Sequence, residues 1–587
     1  MTSREIREKF MKFFKDKGHA NVPSSSLLPT DPSVLLTTAG VQQFKKYYTG
    51  ELRSTKDFGS KDVMSVQKCF RTSDIDEVGD ESHLTFFEML GNFSFGGYFK
   101  KEAIQYGYDF ITRTMKLPIE YVTVFDPEKV SKDDWRKEVP FDGESYELWK
   151  ELGIPEEKIR REGTDNFWGP TGNEGPCGPT TEIYIKNESG NAIEVWNIVF
   201  NEFYRDSENN LKKLEVPGVD TGMGLERLAM VSQSAKTVFE TDLFSSLMSL
   251  LTPNMDMRVK RILADHVRGI TFLISDGVRP SNKEAGYVLR RLMRRAIVHE
   301  YLAGLGVAHS LDIKNLLHQV VHDYKNFYPE LNEDVIIYEF EKENLRFKKT
   351  LDTGLKELQK IKAINSASAF KLFESFGLPY EIIKELGGDK AKKLTRDGFE
   401  EEFKKHQDIS RAGQEKKFGG HGLILDTGEL KAASEEELKK VTRLHTATHM
   451  LQQALREVLG PEVKQAGSDI TVERTRFDFD FPRKLTAEEI KKVEDLVNEK
   501  IKEDLPMRKV VLPKSEAEKT GALYFFREKY PDPVSVYYIG KDVASAWSKE
   551  FCGGPHITHT GEIGKFGIIK EEAVGAGTRR IRATIEP

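Results

Sequence analysis

The chain has 587 residues, enough for three or four domains at the ~150 residues that a domain usually holds. Hydrophobic residues make up 38% and charged residues 31% of it, which excludes a wholly disordered chain. The net charge of −6 excludes a protein that is basic all over, as a general nucleic-acid coat would be, but leaves room for a local basic patch.

The cysteine content and the N-terminus bear on the compartment. The three cysteines, Cys69, Cys177 and Cys552, are too few for a disulfide scaffold and typical of a reducing compartment. Residues 1–17 are charged and amphipathic and lack the apolar core of a secretion signal. No apolar run approaches the ~20 residues that cross a bilayer. We therefore expect a cytoplasmic protein with no membrane partner.

About the first 250 residues carry the signals of a mixed α/β region. Apolar residues with helical spacing predict a helix over Arg4–Asp16. Short β-type runs then alternate with turn signals. They predict four strands: Val34–Thr38, Tyr121–Phe125, Glu182–Ile185 and Glu194–Phe200.

From about residue 258 the pattern changes to long helical periods, which predict a mainly helical region over 258–408. The glycines of residues 418–428 predict a turn-rich connector with at most one short strand. A third region from about Ser434 combines helices with β-type runs, which predicts an α+β domain. Its predicted elements are one or two helices over Glu435–Leu459, a helix over Ala487–Glu503, and strands within Ile470–Phe481, Val534–Ile539, Phe566–Ile569 and Arg579–Ile585.

Two segments of the first region contain the residue types that bind a nucleotide. The Gly-rich turn DTGMGLER enters a helix that has Glu226 and Arg227 in its first turn, where a guanidinium can bind phosphate. Arg71 and Phe87 lie on two arms of a predicted hairpin, where arginine would contact phosphate and phenylalanine would stack on a base. Taken alone, the first segment is equally compatible with an ordinary helix start, and the second with a Phe-rich core.

Together with further phrases, these segments resemble the class II aminoacyl-tRNA synthetases and, within that class, the alanyl-tRNA synthetase family. The phrases that carry the resemblance are SSSLLPTDPSVLLTTAGVQQFK, TFFEMLGNFSFGGYFK, NFWGPTGNEGPCGP, EVWNIVFNEF, VDTGMGLER and ADHVRGITFLISDGVRPSNKEAGYVLRRLMRRAIVH. The resemblance implies an antiparallel sheet flanked by helices, not a Rossmann domain. It also implies ligation of L-alanine to tRNA(Ala) through an alanyl-adenylate, with ATP and Mg²⁺.

The resemblance implies roles for individual residues in the first region. Four are implied to bind ATP by phosphate contact or adenine stacking: Arg71, His83, Phe87 and Arg227. Three are implied to surround the alanine substrate: Trp168, Asn197 and Asp220. Arg71 would contact the α-phosphate, Arg227 the far phosphates and Asp220 the ammonium of alanine, so these three are the predicted catalytic residues.

A basic stretch in the second region is a candidate RNA-binding face. Residues 258–299 hold ten Lys and Arg against three Asp and Glu, and four arginines between 290 and 295 fall on one helical face. Alone, the pattern is typical of a solvated helix, but the implied RNA substrate favours phosphate contact. By resemblance, Asn282 would read a G·U pair in the acceptor stem, with Glu374 as its acidic partner. The predicted tRNA contacts are Asn282, Arg290, Arg291, Arg294 and Glu374.

The third region contains the residue types of a zinc site. His445 and His449 are four apart on a predicted helix, which points both imidazoles the same way. Alone, such a pair is more often two ordinary helix histidines. Cys552 and His556 follow in CGGPH, where glycines permit a tight turn. Three imidazoles and one thiolate suit a tetrahedral Zn²⁺ site, with one ion per chain.

This third region also resembles the editing domain of alanyl-tRNA synthetases, through HTATHMLQQALREVLG, VKQAGS, RFDFDF, CGGPHITHTGEIGKFGI and AGTRRI. The resemblance implies hydrolysis of mischarged seryl- or glycyl-tRNA(Ala), with Thr448 and Gln465 around the mischarged amino acid. A pocket for alanine cannot exclude glycine by shape or strongly reject serine, because one such group contributes only ~1–3 kcal/mol of discrimination. A second, hydrolytic site is therefore expected.

The chain departs from the family pattern in several places, including the phrase GPTTEI where the family usually has GPCSEI. Gly97 stands where the family has an acid (GGYFK for GDYFK), and Pro555 stands where it has threonine (CGGPH for CGGTH). The phrase of the β-barrel before the HxxxH helix is missing, and so is the usual C-terminal domain, which predicts a short, monomeric form. The predicted domains are a class II catalytic domain over 1–250, a helical tRNA-recognition domain over 251–410, a connector over 411–433 and an α+β editing domain over 434–587.

Two other classes of function stay open at this point. One is a deacylase that carries an inactive synthetase domain, which Arg71, Asp220 and Arg227 argue against because all three are present. The other is a non-catalytic tRNA-binding or regulatory protein, which predicts loss of the nucleotide-binding residues. Exchange of pyrophosphate into ATP that depends on alanine would distinguish both from a ligase.

Overall fold

The computed structural model describes residues 1–29, 34–170, 174–208, 210–304, 312–405, 423–424, 431–432, 435–524, 533–575 and 578–586. They form two compact units, Met1–Phe403 and Lys404–Pro587. No helix among these residues is long and apolar enough to span a membrane.

A nine-stranded mixed sheet organises the first unit. Its strands are β1 (Ala20–Asn21), β2 (Asp62–Phe70), β3 (Phe86–Ser94), β4 (Tyr121–Phe125), β5 (Ile159–Glu162), β6 (Phe167–Trp168), β7 (Gly175–Lys186), β8 (Ala192–Arg205) and β9 (Leu211–Gly224). The order is β1-β2-β3-β9-β8-β7-β4-β5, and β6 pairs with β7. The central strands β2, β3, β9, β8, β7 and β4 are antiparallel, and only the edge pairs β1–β2 and β4–β5 are parallel. The predicted class II sheet is confirmed.

Fourteen helices surround this sheet or extend from it within the described residues of the first unit. They are α1 (Ser3–Lys15), α2 (Lys45–Tyr48), α3 (Ser54–Asp57), α4 (Lys100–Asp109), α5 (Gly143–Glu151), α6 (Leu225–Ser232), α7 (Ser245–Leu250), α8 (Met257–Ser275), α9 (Glu284–Gly304), α10 (Ile313–Tyr324), α11 (Glu333–Lys360), α12 (Ser366–Phe376), α13 (Tyr380–Gly387) and α14 (396–405). The helical region predicted from about residue 258 corresponds to α8–α14.

The helical region packs directly against the sheet. Phe86 of β3 stacks on Phe272 of α8, with ring centroids 4.0 Å apart. Behind them, Arg268 of α8 donates a hydrogen bond of 2.6 Å to the buried carboxylate of Glu226 in α6. The largest hydrophobic core of the unit therefore includes both the sheet and the helical region, with two smaller clusters beside it. The functional boundary near residue 250 stays a prediction, because the compact unit continues through it.

One predicted strand is absent and one predicted segment lies largely outside the described residues. Val34–Thr38 is not a strand in the structure. Within this segment, the backbone of Thr37 donates to the Leu27 carbonyl and accepts from the Phe70 amide, whereas the Thr38 amide donates to the side chain of Gln42. These bonds do not form a continuous strand ladder. Of the predicted connector 411–433, the structure describes only the paired strands β10 (Leu423–Ile424) and β11 (Lys431–Ala432).

The second unit is an α+β fold, as predicted. Its helices are α15 (Glu435–Leu459), α16 (Ala487–Lys502) and α17 (Lys514–Lys519). Its other strands are β12 (Gln465–Ile470), β13 (Thr475–Asp480), β14 (Met507–Leu512), β15 (Val534–Ile539), β16 (Ser548–Phe551), β17 (Lys565–Gly575) and β18 (Thr578–Glu586). They form two antiparallel sheets, β12-β13-β18-β17 and β14-β15-β16. The apolar side of α15 packs into a core with α16 and both sheets.

Candidate active site and candidate metal centre

A cleft opens on the mixed sheet where the β2–β3 hairpin meets β8, β9 and the start of α6. It is lined by every residue that the sequence predicted for ATP and alanine: Arg71, His83, Phe87, Trp168, Asn197, Asp220 and Arg227. These residues come from positions up to 156 apart in the chain and meet only through the strand order.

The β2–β3 hairpin fixes Arg71 beside Phe87. Its register places Cys69 opposite Phe87, and the Arg71 amide donates to the carbonyl of Thr85 at 2.9 Å. The Arg71 guanidinium carbon consequently lies 4.8 Å from the centroid of the Phe87 ring, within the range of a cation–π contact. A cation and an aromatic face adjoin here, as the binding of a nucleotide requires.

His83 lies at the far end of the loop that joins the two strands. The carboxylate of Asp80 accepts hydrogen bonds from the backbone amides of Ser82 (3.0 Å) and His83 (2.8 Å) and also contacts the His83 ring. Burial acts to raise the pKa of Asp80, but these hydrogen bonds outweigh it and lower the pKa. The ionised side chain of Asp80 thus holds the turn that carries His83.

Strands β8 and β9 supply the polar groups on one side of the cleft. Asp220 lies opposite Val199 in the antiparallel register, and burial raises its pKa to about 8. Asn197 donates to Glu182 at 3.2 Å, while its own buried side-chain oxygen has no hydrogen-bond partner within the described residues. A buried carboxyl group and an unsatisfied acceptor both favour a cationic, hydrogen-bond-donating ligand such as an ammonium group.

Arg227 extends from the first turn of α6 and is held by β8. Its guanidinium donates to the carboxylate of Glu194 at 2.9 Å and to the carbonyl of the same residue at 3.1 Å. Glu194 and Glu182 are functional neighbours that the sequence analysis missed. Both lie on strands with several polar residues, and alternation along a strand does not show which of these residues face the cleft.

In the second unit, α15 and the CGGPH turn bring four metal-binding side chains together. One donor atom from each of His445, His449, Cys552 and His556 lies within 4.8 Å of the others. The Cys552 sulfur is 3.4 Å from Nε2 of His445 and 3.4 Å from Nε2 of His556. The structure thus assembles the predicted set of residues.

The outer nitrogen of each imidazole has a neighbour that orients the ring. Nδ1 of His445 lies 3.0 Å from the carbonyl oxygen of Pro555, and Nδ1 of His556 lies 3.1 Å from the hydroxyl of Thr446. Nδ1 of His449 lies 3.4 Å from the carboxylate of Glu550. These contacts leave each Nε2 as the ligand atom, which is how metal-bound histidines are held. Thr446 and Glu550 were not predicted from sequence.

The protonation states of the cluster also fit a metal. Burial lowers the pKa of His445 to about 4 and lowers the pKa values of His449 and His556 well below their ordinary value. The imidazoles are therefore neutral at pH 7 and can donate electron pairs. With one cysteine sulfur, the donor set suits Zn²⁺.

The close approach of the His445 ring explains why position 554, in the turn after Cys552, is glycine. A Cβ atom at this position would lie 2.3 Å from Cε1 of the His445 ring, a distance that no side chain can occupy. Pro555, the departure from CGGTH, keeps the carbonyl oxygen that orients His445. The substitution thus retains the acceptor that the ring contacts.

Two family models match the chain, and the first of them extends from the first unit into the second. Residues 5–477 match the family described as "tRNA synthetases class II (A)", and residues 534–582 match "Threonyl and Alanyl tRNA synthetase second additional domain". An alanine–tRNA ligase of Borrelia hermsii is 42% identical over 99% of this chain and 99% of its own length. Another, from Treponema denticola, is 41% identical over 100% of this chain and 99% of its own length.

The chain belongs to the alanine–tRNA ligase family. Among solved structures, the apo histidyl-tRNA synthetase of S. aureus aligns with 39% of this chain and 65% of its own, at 12% identity and a TM-score of 0.27. That likeness is too low to carry an argument.

Gly97 stands where the family has an acidic residue, and in this chain another acidic residue lies beside that position. A Cβ atom at Gly97 would lie 2.1 Å from a carboxylate oxygen of Asp62, at the start of β2. The acidic side chain of GDYFK would therefore compete for space with Asp62. In this alanine–tRNA ligase family member, Asp62 places a carboxylate beside position 97.

The predicted tRNA-binding arginines do not form an exposed stripe in the structure, and their contact with RNA phosphates stays a prediction. The side chains of Arg290, Arg291 and Arg294 are 17%, 13% and 18% exposed. Arg290 and Arg294 pair with the buried Glu343, and Arg294 also donates to the Gly377 carbonyl at 3.0 Å. A count of charges within this stretch could not show that carboxylates from helices further along the chain pair with these arginines.

The other predicted RNA-facing residues are placed differently. Asn282 precedes α9, is exposed and accepts a hydrogen bond from Arg290, while Glu374 is exposed on α12. In the second unit, the buried Thr448 hydroxyl donates to the Leu444 carbonyl at 2.8 Å. Gln465 donates to Ser468 at 2.9 Å. Roles in binding tRNA or a mischarged amino acid stay predictions for all four.

Proposed function

We propose that this chain ligates alanine to tRNA(Ala) in two steps and that the cleft on the mixed sheet forms the alanyl-adenylate. The observation that carries the proposal is the convergence of Arg71, Phe87, Asp220 and Arg227 on that one cleft. The two arginines can bind phosphate groups, the aromatic ring can stack on adenine, and the buried carboxyl group can bind the ammonium of an amino acid.

In the first step, the carboxylate of alanine attacks the α-phosphorus of ATP and pyrophosphate leaves. Arg71 would stabilise the charge that builds on the α-phosphate oxygens, and Phe87 beside it would stack on adenine, with His83 on the same arm. Arg227, in the first turn of α6, would bind the leaving pyrophosphate. When bound with ATP, Mg²⁺ supplies further neutralisation of phosphate charge.

The alanine side of the cleft positions the nucleophile. Asp220 would pair with the ammonium, and the free acceptor oxygen of Asn197 would receive a hydrogen bond from it, with Trp168 closing the small pocket. Catalysis here is mainly positioning, because the alanine carboxylate is already ionised and needs no base. The terminal hydroxyl of the tRNA then attacks the carbonyl carbon of the alanyl-adenylate, and AMP leaves as the ester forms.

Alanine-dependent exchange of pyrophosphate into ATP tests the activation step. The wild type should exchange with alanine, and Asp220→Asn should raise the KM for alanine more than the KM for ATP, since it removes charge but keeps shape. Asp206→Asn, an acid on the exposed β8–β9 turn, is the matched control. Equal rises in both KM values would make Asp220 structural, and no exchange in the wild type would favour the deacylase or regulatory alternatives.

We further infer that the His–Cys cluster holds one Zn²⁺ and that this site hydrolyses seryl- or glycyl-tRNA(Ala). His445, His449, Cys552 and His556 would hold the ion, which when bound would polarise the ester or a water molecule. Elemental analysis should give about one zinc per chain, because the described residues contain one such donor set. Zinc without hydrolysis of seryl-tRNA would leave a structural site and refute editing.

Recognition of tRNA(Ala) is proposed for Asn282 and Glu374, with the chain acting as a monomer in the cytoplasm. Asn282→Ala should lower the charging of tRNA with alanine and leave pyrophosphate exchange unchanged, since exposed Asn282 is not among the residues that line the cleft. A parallel loss in both reactions would contradict a role in tRNA recognition. Light scattering tests the oligomeric state, and a dimer at nanomolar concentration would contradict the monomer.

A further inference from the structure

The loop that joins β2 to β3 carries a predicted ATP-binding residue at each end. Arg71 directly follows β2, and His83 lies three residues before β3. Between them, residues Ser73–Asp76 form one tight turn that buries Ile75. The conformation of this loop therefore determines whether both side chains reach the same nucleotide.

Asp76, at the end of that turn, is bound by two arginines from the helical region. Arg396 of α14 donates two hydrogen bonds to its carboxylate, at 3.0 Å and 2.7 Å, in a bidentate pair. Arg291 of α9 donates a third at 2.7 Å. Charge-assisted bonds of this kind fix geometry as well as adding energy.

A buried carboxylate holds the two arginines in place. Both also pair with the carboxylate of Glu381 in α13, which is only 3% exposed. Burial acts to raise the pKa of Glu381, but Arg291 and Arg396 outweigh it and hold the pKa well below its usual range. Glu400 also lies 3.5 Å from Arg396, so three carboxylates surround the two guanidinium groups that bind the loop.

Two more arginines of the helical region hold the backbone of the same loop. Arg295 of α9 donates to the carbonyl of Ile75 at 2.9 Å, and its side chain is 1% exposed. Arg261 of α8 donates to the carbonyl of Asp80 at 3.0 Å. Asp80 is the residue that orients His83. The loop is therefore held at its turn and near its end by helices that the sequence assigned to tRNA recognition.

We propose that Asp76 is a positioning residue for amino-acid activation. Its clamp by Arg291 and Arg396 sets the loop so that Arg71 and His83 both reach ATP. The proposal rests on the activation function proposed for the cleft. It also gives Arg291 a role within the protein in place of contact with RNA, and it makes the helical region part of the ATP site.

The test compares ATP kinetics of full-length variants in alanine-dependent pyrophosphate exchange. Asp76→Asn keeps the shape and removes the charge, and it should raise the KM for ATP and lower kcat/KM by roughly 10–100-fold, the range expected when reacting groups are misplaced by about 1 Å. The KM for alanine should stay nearly unchanged. Asp76→Glu should recover part of the loss. Asp352→Asn, which removes an exposed carboxylate paired with Lys356, should behave as the wild type.

A double-mutant cycle tests the pairing itself. Arg396→Gln should raise the KM for ATP in the same direction. Asp76→Asn should cause a smaller further loss in that background than in the wild type, because the Arg396–Asp76 pair is already broken and only the bond from Arg291 remains. A wild-type KM for ATP in Asp76→Asn would overturn the proposal. So would a lower kcat with unchanged KM and a lower melting temperature, which would mark a merely structural residue.

Direct binding of ATP separates failure of the clamp from failure of the proposed function. If the wild type shows no alanine-dependent exchange, the activation function is wrong. In that case equilibrium dialysis with Mg²⁺-ATP still decides the clamp. Weaker binding to Asp76→Asn than to the wild type supports it, and equal binding overturns it.

Discussion

The cleft of the first unit and the His–Cys cluster of the second differ in how far the protein itself satisfies the functional groups. In the cluster, the outer nitrogen of every imidazole has a neighbour: Pro555, Thr446 or Glu550. In the cleft, the Asn197 oxygen has no partner within the described residues, and the carboxyl group of Asp220 is buried with a raised pKa. The cluster is oriented before a metal binds, whereas the cleft holds groups whose partners come from the ligand.

Because of this difference, we expect substitutions at the two sites to have different effects. In the oriented cluster, loss of a donor should abolish binding of the proposed zinc and displacement of a ring should weaken it, because the remaining side chains cannot rearrange to replace the missing contact. In the cleft, the protein folds without the ligand, so changes there should alter binding and rate more than stability. The predictions below test that contrast, from the largest expected effect to the smallest.

Removal of the only sulfur ligand should abolish zinc binding. Cys552→Ala should take the zinc content from about one ion per chain to background, as expected for a site that needs all four donors. Cys177→Ala is the matched control, since burial raises the pKa of Cys177 to about 12 and keeps it a thiol. Zinc retained in Cys552→Ala would show that the ion binds elsewhere.

Loss of Arg71 should damage activation without affecting the metal. Arg71→Ala should lower alanine-dependent pyrophosphate exchange by at least ~100-fold, the usual cost of removing a group that stabilises charge in the transition state. Zinc content should not change. Arg113→Ala, which removes an arginine that is 71% exposed, should exchange normally. Near-normal exchange in Arg71→Ala would refute the assignment of the cleft.

Alanine binding should improve as the pH rises. With its pKa raised to about 8, Asp220 is mostly protonated in the free enzyme below that pH, and an ammonium ligand needs the carboxylate. Binding must therefore release a proton, so the KM for alanine should fall by up to ~tenfold per pH unit between pH 6 and pH 8. Asp220→Asn should lose this dependence. A flat profile in the wild type would mean that Asp220 is already ionised.

The smallest predicted effect concerns the close approach at Gly554. Gly554→Ala would push a methyl group against the His445 ring and should weaken zinc affinity by about tenfold, at the lower end of effects seen when a ligand is disoriented. Gly567→Ala is the matched control, because no atom lies within 4 Å of a Cβ atom built there. Competition with a chelator measures both. Equal affinities would show that the cluster is less rigid than described.

The sequence predicted the residues of both sites better than their surroundings. His445 and His449 are one helical turn apart, and Cys552 and His556 share one turn, so spacing alone brings each pair together. The cleft residues needed the resemblance, since only the order of β3, β9 and β8 brings Phe87 near Asp220 and Asn197. Residues that orient these groups, such as Thr446, Glu182 and Glu194, have no local signal, because their partners come from distant strands or helices.

The arginines of α9 show the limit of such reasoning. Composition and helical spacing indicated a basic face, and both observations were correct for the sequence. The carboxylates that neutralise this face, Glu343 and Glu381, come from α11 and α13, 49 and 90 residues further along. Only tertiary structure shows that Arg291 binds Asp76 in the loop that joins β2 to β3.

Charging of tRNA(Ala) with alanine and with serine, by the wild type and by Cys552→Ala, tests the central claim that one chain holds an activating cleft and a separate correcting site. The wild type should accumulate alanyl-tRNA and almost no seryl-tRNA. Cys552→Ala should accumulate both, because its cleft is intact and its zinc site is lost. Equal accumulation of seryl-tRNA by the two proteins, or no alanyl-tRNA from the wild type, would contradict the claim.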